Sequence, residues 1–293
     1  MNTFTPTDLA SVAIKIAAKD FVLAREAFRD AEAAYTRGAG ATAKVVIPGA
    51  AKTTIRDANA YGTAIPASNL QEQSVDVTLR EAHSRAIIGE AERSLGIVDY
   101  SRSVTAPLAL AIADTCEAQV ATLLDATTMH GTIAYTDGVD LPKAITAARS
   151  VLRGNGVTTG DEIVAFLGTN AYAAALDSGL LEDSDVIRKV RVVETDRLSN
   201  PDDVVVAAPR RAFALAVKAP DVPDGVASGA SIKDADAGFA LRYVETFDAS
   251  IAASTALVSA FVGAVALPLP VYDPSTGTVD LVEGGAALRF TAA

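Results

Sequence analysis

Apolar residues recur at helical spacing from Thr7 to Arg37, where Ile14, Phe21, Phe28 and Tyr35 lie seven apart with Leu9, Val12, Ile16 and Leu23 beside them. The spacing predicts a long amphipathic helix, or two with a break near Lys19-Asp20. Thr7 or Asp8 is positioned to cap it, and Gly38 and Gly40 to end it. Such a helix either lends a face to its own core or forms a terminal arm on a neighbouring chain. The texture then changes. Residues 45–79, VVIPGAAKTTIRDANAYGTAIPASNLQEQSVDVTL, have strand-like ends at Val45–Ile47 and Val75–Leu79 around a middle of small and polar residues that has no core of its own. Val75, Val77 and Leu79 alternate with Asp76 and Thr78, the period of a half-buried strand, and a second strand is expected over Ser84–Ile88.

Further along, Leu108, Ile112, Cys116, Val120, Leu123 and Leu124 repeat at steps of three and four. Pro107 confines the start of this helix to Val104–Ala106, from which it runs about twenty residues. Leu141–Asn155 reads as another helix, with Asp140 as cap, Pro142 in the first turn and Gly154 and Gly156 at its end. EIVAFLGT is a buried-type strand followed by a helix that Asn170 is placed to cap. VRVVET is a strand, and VVVAAPRRAFALAVKA reads as two strands around a turn at Pro209. Ala219–Ala237 is rich in Pro, Gly, Asp and Ser and is expected to be a loop. GFALRYVETFDASIAASTALVSAFVGAVAL alternates like paired strands, and the tail suggests a hairpin turning at Asp273–Gly277. The result is an α+β arrangement with one subdomain inserted into another.

The chain has 293 residues, half of them hydrophobic, enough to bury a large core. Lys plus Arg number 25 against 36 Asp plus Glu, a net charge of −11 spread along the chain. That balance excludes a protein that grips nucleic acid by phosphate neutralisation, because counterion release needs a basic face. Cys116 is the single cysteine, so no internal disulfide forms and a reducing compartment fits. The N-terminus lacks the basic-then-apolar order of a usual signal peptide, and Ala249–Leu269, the longest low-charge run, contains Ser, Thr and Pro and reads as strand plus turn. The expectation is a soluble protein made in the cytoplasm.

Candidate chemistry is sparse. Lys52-Thr53-Thr54 invites a phosphate-loop reading, but positions 46 and 51, which that motif needs as glycine, are Val46 and Ala51. His83 and His130 sit in different elements, too far apart in sequence for zinc spacing, and Cys116 lies on an apolar helix face. The carboxylate groups Glu90 and Glu92, Asp202 and Asp203, and Glu182, Asp183 and Asp185 lie in charged or turn-like surroundings and read as solvated. No catalytic, cofactor-binding or metal-binding residue is assigned, and no cofactor is expected.

In their order these elements resemble the major capsid protein of tailed bacteriophages, the HK97-like capsid fold, from about residue 40 to 267. AKVVIPGAAKTTIRDANAYGTAIPASNLQEQSVDVTLREAHSRAIIGEAE resembles the family's extended loop and following strand. SLGIVDYSRSVTAPLALAIADTCEAQVATLLDA is similar to its spine helix, with V-D-Y leading in and Ala111–Asp114 as the A-x-A-D pattern. VDLPKAITAARSVLRGNGV and DEIVAFLGTNAYAAALDSG are similar to the axial domain, and residues 238–267 to the strands that close the peripheral domain. The junction GNGVTTGDEI lacks the Pro and Arg that many relatives place there.

The resemblance implies an N-terminal helical arm over 1–40, an extended loop over 41–81, a peripheral domain from 82–135 and 238–293 with the spine helix, and an inserted α/β axial domain over 136–237. It implies a non-enzymatic structural protein of the virion, assembled in the host cytoplasm as pentamers and hexamers of an icosahedral shell around double-stranded DNA. Scaffold, portal and decoration proteins are its further possible partners, and no membrane is involved. Some shells of this fold weld neighbours by a Lys–Asn bond; Lys52 is placed for the loop side, but no Asn occurs after Asn200. Two other readings stay open: an encapsulin-like compartment of the same fold, and a soluble α/β enzyme with an unrecognised site.

Overall fold

The structure is a computed structural model that describes residues 5–28, 42–47, 55, 57, 62, 64, 72–89, 97–126, 132–135, 137–181, 184–226, 228–234, 238–273, 276 and 278–292. In chain order the elements are α1 (Pro6–Lys19), α2 (Leu23–Glu26), β1 (Thr42–Ile47), β2 (Gln73–Thr78), β3 (Arg80–Ile88), α3 (Ile97–Tyr100) and α4 (Ala106–Ala126). They continue with β4 (Thr132–Tyr135), α5 (Asp137–Gly154), β5 (Val164–Gly168), α6 (Thr169–Asp177), β6 (Val186–Ile187), β7 (Val190–Thr195) and β8 (Val204–Ala207). The last are α7 (Pro209–Ala212), β9 (Phe213–Lys218), β10 (Ser228–Asp234), β11 (Phe239–Asp248), β12 (Ala253–Ala266), β13 (Leu269–Asp273), β14 (Thr278–Val282) and β15 (Leu288–Ala292). Two compact units divide the chain, one of residues 1–43, 77–123 and 214–265, the other of 44–76, 124–213 and 266–293.

The first unit is built on an antiparallel sheet in the order β10-β11-β12-β3, with β9 also pairing β12. β12 is 14 residues long and mostly buried, as a strand must be when its apolar run has neighbours on both sides. It covers most of the low-charge run around Ala249–Leu269. α1 lies on β10 and β11 and buries Leu9, Ala10, Ala13, Ile14 and Ala17. Of the two roles open to it, α1 therefore fills the first: it is a core helix of its own chain, against the expectation of an arm over all of 1–40. The break falls at Lys19-Asp20 as expected, but the cap is Thr5 instead of Thr7 or Asp8. The Thr5 hydroxyl accepts from the Asp8 N–H while the Asp8 carboxylate accepts from the Thr5 N–H, a reciprocal capping box. Gly38 and Gly40 lie outside the described residues.

Ala219–Ala237, read as a loop, contains β10, which pairs over seven residues with β11 from Ser228↔Glu245 to Asp234↔Phe239. An edge strand needs only one hydrogen-bonding neighbour and one covered face, so its polar composition is tolerated.

The long helix starts where Pro107 and the periodicity place it, α4 opening at Ala106 and running 21 residues. α3 leads through a π-helical turn, Ser101–Thr105, into α4, and the Ala106 N–H donates to the Ser101 carbonyl five residues back. Pro107 has no N–H to donate, and the widened turn absorbs its ring without ending the helix. The expected stripe is present: Leu108, Ile112, Cys116, Val120 and Leu124 are all buried. Residues 101–126 are long and apolar enough to cross a membrane by length and composition, yet half of the apolar window is buried inside the protein, as in a core helix.

The second unit centres on a six-stranded mixed sheet, β4-β15-β8-β5-β7-β6. β5 is buried at every position, and α5 and α6 cover the sheet with Leu141, Ile145, Ala148, Leu152, Ala171 and Ala175. α5 begins a turn before the expected start, so Asp140 is not its cap; the side chain pairs with Lys143 at 3.3 Å, and Pro142 lies inside the helix. α6 is capped by backbone, not by Asn170: the Asn170 and Ala171 N–H groups donate to the Pro201 carbonyl. That carbonyl can approach because residue 168 is glycine; a Cβ there would sit 2.3 Å from the oxygen. The tail forms the expected hairpin, β13 with β14. Then β15 enters the middle of the sheet, parallel to β4 and antiparallel to β8. Residues 266–293 accordingly group with the α/β sheet, and 214–237 with the other unit, where the sequence had suggested the reverse.

Candidate functional site

The 45–79 stretch retains its two strand ends. β1 buries Ala43, Val45 and Ile47 and exposes Lys44 and Val46; β1 and β2 form a two-stranded sheet. Val77 and Leu79 are buried as their alternation required. Between the strands the described residues are Ile55, Asp57, Gly62, Ala64 and Glu72, and all five are exposed. Ile55 is 99% exposed, the most extreme case among the large apolar side chains of the described residues. Lys52, Thr53 and Thr54 lie outside the described residues.

Among the described residues, the carboxylates of Glu117, Asp203 and Asp161 are each held by hydrogen bonds within the fold. Glu117 is the clearest case, 3% exposed on the buried stripe of α4. Its Oε1 accepts the N–H groups of Val22 and Ala24 and its Oε2 that of Leu23, each at 2.9 Å. The first N–H groups of a helix have no intrahelical partner, and Val22 offers no side-chain cap to α2, so a carboxylate from another element takes that place. Sequence reasoning missed this residue. Its signal was a carboxylate at stripe spacing from Ala113 and Val120.

Asp203 corrects an expectation. Read with Asp202 as a solvated pair, it is 1% exposed. Arg289 on β15 reaches it with Nε at 2.7 Å and with Nη2 as well, while Nη1 donates to the Asp125 carbonyl at 3.1 Å. Asn200 adds a 3.0 Å bond to Asp203. Asp185 is exposed, 3.5 Å from the Tyr172 hydroxyl. Burial first, then the nearby carboxylates of Asp185 and Glu194, push that phenol above its ordinary range. Asp161 goes the other way: burial raises it, but hydrogen bonds from Thr158 and Arg211 prevail and hold it below the usual carboxylate value. Cys116 is fully buried and His83 faces solvent on β3; His130, Glu90, Glu92, Glu182 and Asp183 lie outside the described residues. Among the described residues no three metal-ligating side chains come together. Ile55, Phe247 and Ile87 are large apolar side chains left exposed among the described residues.

No family model matches the sequence, and no curated protein matches it. Solved structures do match the fold. One from Mycobacterium phage Che8 is 18% identical, with a TM-score of 0.55 over 92% of this chain and 90% of that one. The capsid structure of the cyanophage P-SCSP1u is 13% identical, with a TM-score of 0.56 over 88% and 85%. The crystal structure of a virus-like particle from Pyrococcus furiosus is 12% identical, with a TM-score of 0.52 over 97% and 98%. The chain thus has the α+β, HK97-like shell fold that its order of elements resembles.

Proposed function

We propose that this chain is a major capsid protein that self-assembles into the icosahedral head shell enclosing phage double-stranded DNA. The observation that carries the reading is a likeness to a phage capsid structure over nearly the whole length of both chains. A fold can host many functions, so a second feature bears on the reading. The 45–79 excursion exposes Ile55 completely, and a segment with strand ends and no core of its own is stabilised by lying on something else. In a shell that support is the next subunit. On this reading residues 41–81 are the extended loop, the unit containing α4 and the five-stranded sheet is the peripheral domain, and the unit of the six-stranded sheet is the axial domain. Head-to-tail contacts then close pentamers and hexamers. Scaffold, portal and decoration proteins are partners of such a shell, assembly takes place in the host cytoplasm, and the subunit carries no catalytic residue. With a net charge of −11 the shell contains DNA without gripping it.

The likeness to the virus-like particle of Pyrococcus furiosus favours a second reading, an encapsulin-like compartment. Expression of the chain alone, followed by negative-stain microscopy and sedimentation, tests both. Uniform shells or rings are expected, and a monomer that never assembles defeats both readings. Shells purified from their native source then separate the two: packaged DNA supports the phage head, and a co-purifying enzyme the compartment.

A further inference from the structure

The edge of the six-stranded sheet carries a turn that its residues do not favour. β6 and β7 are joined by Arg188 and Lys189 alone, with Ile187 paired to Val190. Both linking residues have positive φ, 52° and 65°, the signature of the tight primed turn. Asn-Gly is the usual occupant of such a turn, because a side chain with Cβ and a long stem is strained in the left-handed region. Here two long cations hold it. Both are exposed, and among the described residues neither has a hydrogen-bond or ion-pair partner. The next cation along the strand, Arg191, is by contrast engaged by Glu162 at 2.6 Å.

Strain retained at an exposed position is a reason to look for a use. The same edge supplies the opposite charge. Asp185 precedes β6, its carbonyl accepting from the Val192 N–H, and Glu194 lies further along β7; both carboxylates are exposed and both act on Tyr172. Strand geometry places Asp185 about 10 Å from the turn. One edge therefore bears a cationic tip and an anionic flank, offset along the strand direction. They do not satisfy each other. A second copy shifted by that offset sets its tip against this flank and leaves this tip for a third, so the contact joins different patches, is heterologous and propagates from copy to copy, as a ring requires.

We propose that the Arg188-Lys189 tip docks on the Asp185–Glu194 flank of a neighbouring copy of this chain, and that the strained turn is kept to present those two charges. The inference rests on the shell reading and names one contact within it.

The test compares the parent with three variants by sedimentation and negative-stain microscopy at low and high salt. One is Arg188→Asn with Lys189→Gly, which suits the turn and removes the charge. The second, Arg188→Glu with Lys189→Glu, keeps two side chains on the turn and reverses its sign, and the third adds Asp185→Lys and Glu194→Lys to that reversal. In the first, the unassembled subunit melts above the parent, while the concentration needed to assemble at low salt rises about tenfold. That difference narrows at high salt, where surface charges are screened. The reversed tip assembles worst, and the swapped set recovers. A neutral or reversed tip that assembles at the parent's concentration at low salt overturns the proposal and leaves the shell reading standing, as does a swapped set no better than the reversed tip. A parent that stays monomeric under every condition overturns both.

Discussion

Replacing Glu117 tests the link between sequence, buried polarity and the N-terminal segment most directly. Glu117→Ala removes a carboxylate that is 3% exposed and strands the N–H groups of Val22, Leu23 and Ala24, each bonded at 2.9 Å. A hydrogen bond to a charged acceptor contributes roughly 1.5–3 kcal/mol, and an orphaned buried donor costs about 1–3 kcal/mol. The desolvation of the carboxylate in the parent offsets part of this. The expected net loss is about 3–5 kcal/mol, or roughly 10 °C in the melting temperature of the unassembled subunit. Glu117→Gln separates the contributions. Its oxygen can keep Val22 and Ala24, but its NH2 group then faces the Leu23 N–H, donor against donor, so the loss falls to about 2 kcal/mol. Differential scanning fluorimetry gives the ranking parent, Gln, Ala. Hydrogen exchange locates the effect, with the amides of residues 22–24 losing protection first. Equal melting temperatures for all three proteins, or unchanged exchange at those amides, would refute the claim that Glu117 holds the segment.

Other consequences are equally direct. Arg289→Met leaves Asp203 buried and without its cation and is expected to cost about 3–5 kcal/mol in urea denaturation of the unassembled subunit. Gly263→Ala places a Cβ 2.4 Å from the Thr78 carbonyl oxygen and is expected to destabilise by about 1–3 kcal/mol, whereas Gly154→Ala meets open space and changes the melting temperature little or raises it. Asp248 accepts from the Ser250 hydroxyl and N–H and pairs with Arg85, which together hold its carboxyl down to about 2. A folded value below the unfolded one means a stabilisation present above pH ~4 and lost as the pH falls toward 2. NMR titration checks that midpoint, and Arg85→Gln should raise it. Deleting residues 53–68 is expected to leave a folded subunit that no longer closes into shells; unchanged shells by microscopy would remove the role given to the excursion.

The sequence alone determined the elements whose signal is local. The α1 and α4 stripes, the fully apolar β5, the break at Lys19-Asp20 and the alternation of Val75, Val77 and Leu79 were legible because burial on one face imposes a period on consecutive residues. The order of those elements also carried the fold class, and with it the shell reading. The tertiary structure decided whatever depends on a partner far along the chain. β10 is a strand because β11 lies beside it, although its composition is that of a loop. β15 belongs to the second sheet because a slot lies open between β4 and β8, which nothing in LRFTA states. Glu117 and Val22 stand 95 residues apart, and Arg289 and Asp203 86 apart; a carboxylate that reads as solvated on its own becomes a buried acceptor once donors arrive from elsewhere. The Arg188-Lys189 turn is the same lesson on the backbone. Neither residue favours positive φ, and the pairing of β6 with β7 imposes it, since the cost of a local conformation is set against the ladder it completes.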